Sequence, residues 1–192
     1  MYTLIFATNN AHKIAEIQSL VGSDFSIIDM KSAGIDIDIP EPHHTLNENA
    51  LEKAQTIFNI TKTNCFSEDT GLEIEALNGA PGVKSARYAG EDRNFQANID
   101  KVLDQLKNVE NRKAQFRTVI CLIWEGQTYY FEGICKGHIS ISMQGEKGFG
   151  YDPIFVPEGS NKSFAEMNME EKNRFSHRQK AVTQLFEFLR KQ

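Results

Sequence analysis

Charged side chains in this sequence gather where apolar runs break, and those breaks are where chemistry is to be sought. The acids are Glu41, set between Pro40 and Pro42, and the pair Glu68-Asp69 within Cys65-Phe66-Ser67-Glu68-Asp69-Thr70-Gly71-Leu72. Neighbouring carboxylates repel, and Asp is depleted in strands. Gly71 tolerates backbone geometry closed to other residues. The segment is therefore predicted to turn at Gly71, on a sheet rim, with two acids aimed at a cation. Read alone, it also fits an ordinary polar turn. The cations are Lys13, Lys172 and the His177-Arg178 pair with Lys180. Lys13 and His177 to Lys180 fall in the first turns of predicted helices, where the dipole disfavours a cation unless an anion shares the site. A helix start of this kind suits a phosphate. Arg178 is accordingly expected at the surface, where its removal would cost little stability.

A third break, Gly148-Phe149-Gly150-Tyr151-Asp152-Pro153, sets a ring between glycines. Such a loop can present backbone amides and a ring face to a flat ligand, although a plain hairpin connection also fits. Mg²⁺ is usually held by one or two carboxylates together with substrate phosphates. Cations neutralise the remaining phosphate oxygens, and a ring stacks on a base. These residue types point to a Mg²⁺–nucleotide site. The chain lacks G-x-x-x-x-G-K-[ST], so it is not a P-loop enzyme. The loop dipeptide His43-His44 is a poor chelate for a transition metal.

The elements that must position these groups follow from the apolar pattern. Residues 2–8 form a continuous apolar run, predicted as a strand buried on both faces. After a polar turn, Ile14, Ile17, Leu20 and Val21 recur at helical spacing. Residues 25–39 read as two weak strands broken at Ser32-Ala33-Gly34. Thr45-Leu46-Asn47-Glu48 reads as a capping box with Glu48 on the N-cap amide. It opens a helix with the stripe Leu46, Ala50, Ala54, Ile57 and Phe58, with Lys53 on or beside the opposite face. Leu72 to Leu77 alternates as a half-buried strand does. Phe95, Ile99, Val102, Leu103 and Leu106 mark an amphipathic helix. Residues 114–124 and 128–143 read as antiparallel strands, the second bent or bulged at Gly137. Asn168 opens a short helix. Ser176 caps the last one, whose stripe is Ala181, Val182, Leu185, Phe186 and Leu189.

The bulk properties narrow the class. With 192 residues, 40% hydrophobic and 24% charged, the chain suits one globular domain, residues 1–192, with or without two lobes. A net charge of -5 argues against broad nucleic-acid binding, which needs a basic face. Cys65, Cys121 and Cys135 have no C-x-x-C spacing and sit in apolar runs, as reduced buried thiols do. No stretch approaches a membrane span, and the N-terminal apolar run is too short for a signal peptide. The expected location is cytoplasmic, without membrane or nucleic-acid partners.

Several segments also resemble a known family. They are Ala7-Thr8-Asn9-Asn10 with Lys13 and Glu16, Glu48-Asn49-Ala50, Glu68-Asp69-Thr70-Gly71-Leu72, Gly79-Ala80-Pro81-Gly82-Val83, Ser85-Ala86-Arg87-Tyr88-Ala89-Gly90, Gly148 to Phe155, and Ser176-His177-Arg178. Taken in order over nearly the whole chain, they resemble the inosine triphosphate pyrophosphatase family. The resemblance implies an α/β fold: an elongated, mixed, twisted sheet with flanking helices, in two lobes around a central nucleotide cleft. It implies hydrolysis of ITP, dITP and XTP to the monophosphate and pyrophosphate, with Mg²⁺ required, by a protein that is usually a homodimer. By position, Thr8, Asn9, Asn10, Ala11, His12 and Lys13 become the first phosphate-binding turn. Glu41 and Asp69 become metal carboxylates, and Asp69 also activates water. Thr70 contacts substrate, Phe149, Gly150, Tyr151 and Asp152 form the base-facing loop, and Lys172, His177 and Arg178 are further substrate contacts.

This chain departs from the family pattern in places. Glu68-Asp69-Thr70-Gly71 stands for the common Asp-Asp-Ser-Gly, Gln179 for a frequent glycine, and Glu41 is the one metal candidate in its loop. Two other classes stay open on sequence: a pyrophosphatase for a different nucleoside triphosphate, and a non-catalytic nucleotide-binding regulator.

Overall fold

The computed structural model describes residues 2–21 and 25–192. The chain forms two compact units, one of Met1–Asp69, Thr118–Gly133 and Arg178–Gln192, the other of Thr70–Arg117 and Ile134–His177. The strands are β1 (Tyr2–Phe6), β2 (Phe25–Asp29), β3 (Cys65–Ile74), β4 (Pro81–Gly82), β5 (Lys113–Trp124), β6 (Gln127–Ile139) and β7 (Phe155–Pro157). They hydrogen-bond in the order β2-β1-β3-β5-β6-β7, with β4 added beside β3. By sequence, β3, β5 and β6 contribute residues to both units. Mixed parallel and antiparallel pairing with flanking helices is the predicted α/β class.

In the first unit, β1 runs parallel to β2 from Tyr2↔Phe25 to Phe6↔Asp29, and parallel to β3 at Ile5↔Cys65 and Phe6↔Phe66. Leu4 to Ala7 are buried, as the apolar run requires. The Phe6 and Phe66 rings stack with centroids 4.6 Å apart. Helix α1 (Ala11–Gln18) contributes Ile17 to this core, and α5 (His177–Leu189) contributes its whole predicted stripe. Helix α2 (Leu46–Thr61) starts where expected, but its cap differs. The Glu48 amide donates to the Thr45 hydroxyl oxygen, and the Glu48 carboxylate accepts from that hydroxyl rather than from the N-cap amide. The second weak strand predicted within 25–39 does not form. Ile35 and Ile39 bury their side chains from an irregular segment instead, which the Ile35 amide and the Asn9 side chain tie down by bonds to Met30 and Ile37 carbonyls.

The second unit has its own core, in which Phe116 packs against Phe155 and Phe164. Helix α3 (Phe95–Gln105) buries Ile99 and Val102, as its periodicity predicts, yet Phe95 is 41% exposed. A position at the first turn lies beyond the edge of the core it was assigned to. Two glycines admit close backbone neighbours, one of them where a turn was predicted. The chain does not turn at Gly71, because β3 runs on through the acids to Ile74. A Cβ at Gly71 would lie 2.7 Å from the Gly82 carbonyl oxygen, so the glycine serves the close approach of β4. Gly137 lies within the continuous strand β6, where a Cβ would meet the Val156 oxygen of β7 at 2.2 Å. Among the described residues, no helix is long and apolar enough to cross a membrane.

Candidate active site

The continuity of β3 through the acids decides their geometry. Successive strand side chains point to opposite faces. Cys65 and Ser67 donate to the Ala54 and Ala50 carbonyls of α2, so Asp69, two residues on, faces α2 as well. Phe66 lies in the core with α1 and α5, and Glu68 follows it to that side. Strand β1 leaves the ladder after Phe6. Beyond that point the chain turns through Thr8 to Asn10 into α1, so the acids stand just past the carboxyl end of a parallel strand. Open α/β sheets bind ligands in such places.

On one face, Glu68 meets a buried arginine. Arg178 donates to both Glu68 oxygens, at 2.7 and 2.9 Å, and a further N–H meets Glu16 of α1. Lys13 lies 3.0 Å from Glu68. Arg178, Glu68 and Glu16 are all buried. Burial alone would raise the Glu68 pKa, but Arg178 and Lys13 outweigh it and hold the carboxyl far below its ordinary value. Arg178 is raised above the ordinary arginine value, its two carboxylates outweighing burial. The expectation of a surface arginine is therefore corrected: Arg178 is an internal counter-ion, bidentate on Glu68.

The other face is built differently. Lys53 of α2, only 7% exposed, donates to Glu41 at 2.5 Å and to Asp69 Oδ1 at 3.2 Å. Asn49, one helical turn earlier, holds both the amide and the carbonyl of His43, which fixes the loop that carries Glu41 beside α2. Asp69 Oδ2 is buried with no hydrogen-bond partner. Burial pushes the Asp69 carboxyl above its ordinary value and Glu41 adds to this, against the pull of Lys53 and Lys13. Burial would lower the Lys53 pKa, but Asp69 and Glu41 together raise it. Two carboxylates thus converge on one cation, and one buried oxygen is left over. Among the described residues no group of three or more His, Cys, Asp or Glu side chains could hold a metal alone. Glu41 and Asp69 do fit Mg²⁺, which takes one or two carboxylates and completes its shell with phosphates and water.

The predicted phosphate turn is capped from within. Asn10 Oδ1 accepts from the His12 and Lys13 amides at 3.0 and 3.2 Å, and the Asn10 amide donates to Thr8 Oγ1. Asn9, Ala11 and His12 are exposed, while Thr8, Asn10 and Lys13 are half-buried.

The other predicted residues belong to the second unit. Asp152 accepts from the Phe149 amide at 2.9 Å and from Lys172 at 2.7 Å. Lys172, from α4 (Met169–Asn173), lies 5.4 Å from the Phe149 ring centroid. Gly148 and Gly150 have φ of +78° and +62°, the left-handed geometry that lets the loop fold over Asp152. Tyr151 is buried and donates to the Ser85 carbonyl, so its side chain anchors the loop. His177 is buried, stacked on Phe116 at 4.7 Å. Thr70 is half-buried in β3, next in sequence to Asp69.

Two groups escaped the sequence reading. Lys53 was assigned to the polar side of α2, yet it lies on the stripe: Leu46, Ala50, Lys53, Ala54 and Ile57 share one face. A charge on an apolar stripe was the available signal. Glu16 entered only through the resemblance, and its pairing with Arg178, 162 residues away, left no local trace.

Comparison with known proteins gives the family and the fold. A family model described as the Ham1 family matches residues 4–188. A Flavobacterium johnsoniae protein named dITP/XTP pyrophosphatase is 50% identical over 186 residues, covering 97% of each chain. One of the same name from Porphyromonas gingivalis is 50% identical over 98% of each. Among solved structures, a HAM1 protein from Coxiella burnetii superposes with a TM-score of 0.91 at 35% identity, covering 100% of both chains. The Staphylococcus aureus Ham1 protein does so with a TM-score of 0.89 at 38% identity, covering 98% of both. This chain belongs to the Ham1 family.

Proposed function

We propose that the protein hydrolyses non-standard purine nucleoside triphosphates, ITP, dITP and XTP, to the monophosphate and pyrophosphate. The observation that carries this reading is Asp69, a buried carboxylate with an unoccupied oxygen, placed with Glu41 around one cation. The names borne by the relatives supply the substrate class. Mg²⁺ is the proposed cofactor, held by Glu41 and Asp69, and it would draw charge off the phosphate oxygens.

The chain's own groups have separate tasks. Asp69 orients a water and takes its proton as the water oxygen attacks the α-phosphorus. The bond from that phosphorus to the bridging oxygen breaks, and the electron pair leaves with pyrophosphate. Lys13 and Lys53 supply positive charge as negative charge develops on the leaving pyrophosphate. Lys172 and His177 are proposed as further substrate contacts, and Thr8 to Lys13 as the phosphate turn. Phe149 stacks on the purine, and loop amides read its 6-position. A site built to hydrogen-bond an oxo group rejects an amino group, because its donors would go unpaired. A cytoplasmic location and a homodimer complete the proposal.

A panel of triphosphates with Mg²⁺, following monophosphate and pyrophosphate separately, tests it. ITP, dITP and XTP should turn over in preference to ATP and GTP, and EDTA should abolish activity until Mg²⁺ is restored. Release of orthophosphate with inosine diphosphate would place the cut at the γ-phosphate and overturn the reading.

A further inference from the structure

Phe95 is a large apolar side chain where stability does not want one. It is the first residue of α3, directly after the Asn94 cap, and it is 41% exposed although the helix periodicity assigns it to the core. Single exposed apolar residues are ordinary, but this one has company. Of seven exposed large hydrophobics among the described residues, three, Phe95, Ile141 and Met143, lie on this helix turn and on the segment leading to Phe149. Two contacts join them. The Phe95 and Phe149 rings stand with centroids 6.3 Å apart at 49°, and the Gln96 side chain donates to Met143 Sδ at 3.3 Å.

The segment between is not adrift. The Gln144 and Lys147 amides bond the Pro153 and Ala165 carbonyls, and Ser163 donates to Gln144. The tilted ring pair is thus held from both sides. Phe95 meets the Phe149 ring at an angle, so the two rings form a corner, while the Lys172 ammonium lies over the Phe149 ring, 5.4 Å from its centroid.

We infer that Phe95 is a specificity-determining residue: its ring is the outer wall of the base subsite and packs against the purine that stacks on Phe149. This rests on the proposed function and adds to it a second ring. A flat heterocycle fits such a corner, since one ring takes its face and the tilted ring takes its edge, an arrangement aromatic groups favour. Phosphates gain nothing from it.

The test compares wild type with Phe95→Ala and Phe95→Leu, measuring ITP hydrolysis and inhibition by inorganic tripolyphosphate, which carries the charges and no base. In Phe95→Ala the KM for ITP should rise about three- to tenfold, with a smaller rise in Phe95→Leu. The kcat should stay within about twofold, and tripolyphosphate should inhibit all three proteins alike. An unchanged KM for ITP overturns the assignment. So does equal weakening of ITP and tripolyphosphate, which would make Phe95 a brace for the fold. Should Phe95→Ala not fold, the same two readouts on Phe95→Leu decide. If the wild type turns over no purine triphosphate, the functional reading fails separately, and calorimetric binding of ITP to wild type and variants still decides the wall.

Discussion

Glu68 and Asp69 are neighbours in one strand, and they live in opposite electrostatic regimes. On the Glu68 face, two buried carboxylates meet a guanidinium that engages both, with Lys13 beside them. Charge and hydrogen bonds are matched, and the result is a fixed internal ion cluster. On the Asp69 face, two carboxylates share one ammonium, and Oδ2 of Asp69 has no donor. A buried acceptor left unsatisfied costs about 1–3 kcal/mol. The lesson is that the protein matches the charges and hydrogen bonds of one face of β3, whereas on the other it leaves a buried carboxylate oxygen without a donor. Strand alternation lets a single pair of adjacent acids do both.

Breaking the matched face should have the largest effect. Arg178→Ala leaves Glu68 and Glu16 buried without their counter-ion, a change that costs about 3–5 kcal/mol. For a chain of this size the melting temperature should fall by roughly 6–20 °C. A variant that melts within a couple of degrees of wild type would show the cluster to be dispensable. On the other face the loss should be of rate instead. Asp69→Asn should lower kcat at least about a hundredfold, equivalent to roughly 2.7 kcal/mol of barrier, without lowering the melting temperature. Its charge is disfavoured where it stands, so neutralising it relieves the fold. Near-normal turnover would move the catalytic centre elsewhere.

How much of this was legible depends on range. The stripes of α2 and α5, the buried β1 and the Gly-Phe-Gly loop follow from local pattern, and the acids stood out by composition. The role of Gly71 did not, because close approach of β4 and a turn leave the same glycine in the sequence. Arg178 looked like a surface cation because its partners lie 110 and 162 residues away. Lys53 is the opposite case: its helical position on the stripe is local and visible, but it runs against a lysine's usual preference for solvent.

Two smaller effects sharpen the contrast. Lys53→Met removes the ammonium between Glu41 and Asp69 and should cost about 1–2 kcal/mol in metal-free urea unfolding. Part of that should return on adding Mg²⁺; a loss that Mg²⁺ leaves untouched would count against a metal between those carboxylates. The last effect is read in pH. The Glu68 pKa is depressed in the folded chain, so its stabilising contribution is complete above its ordinary value of 4.5 and is lost as pH falls further. Stability should therefore decline below about pH 4.5 in wild type, and less steeply in Glu68→Gln. Parallel acid limbs in the two proteins would assign that decline to other carboxylates.

The Arg178 cluster also constrains the order in which the chain can fold. Glu16 and Glu68 belong to the first 69 residues, but their counter-ion arrives with the segment Arg178–Gln192, after an excursion through the second unit. Until residue 178 is available, closing the first unit would bury Glu16 and Glu68 without the arginine that joins them, with Lys13 beside Glu68. During synthesis the three-residue cluster can therefore close only after residues 70–117 and 134–177, which hold a core of their own, have been made. The arginine acts as a late latch: the cluster that begins with Glu16 is closed from the other end of the chain.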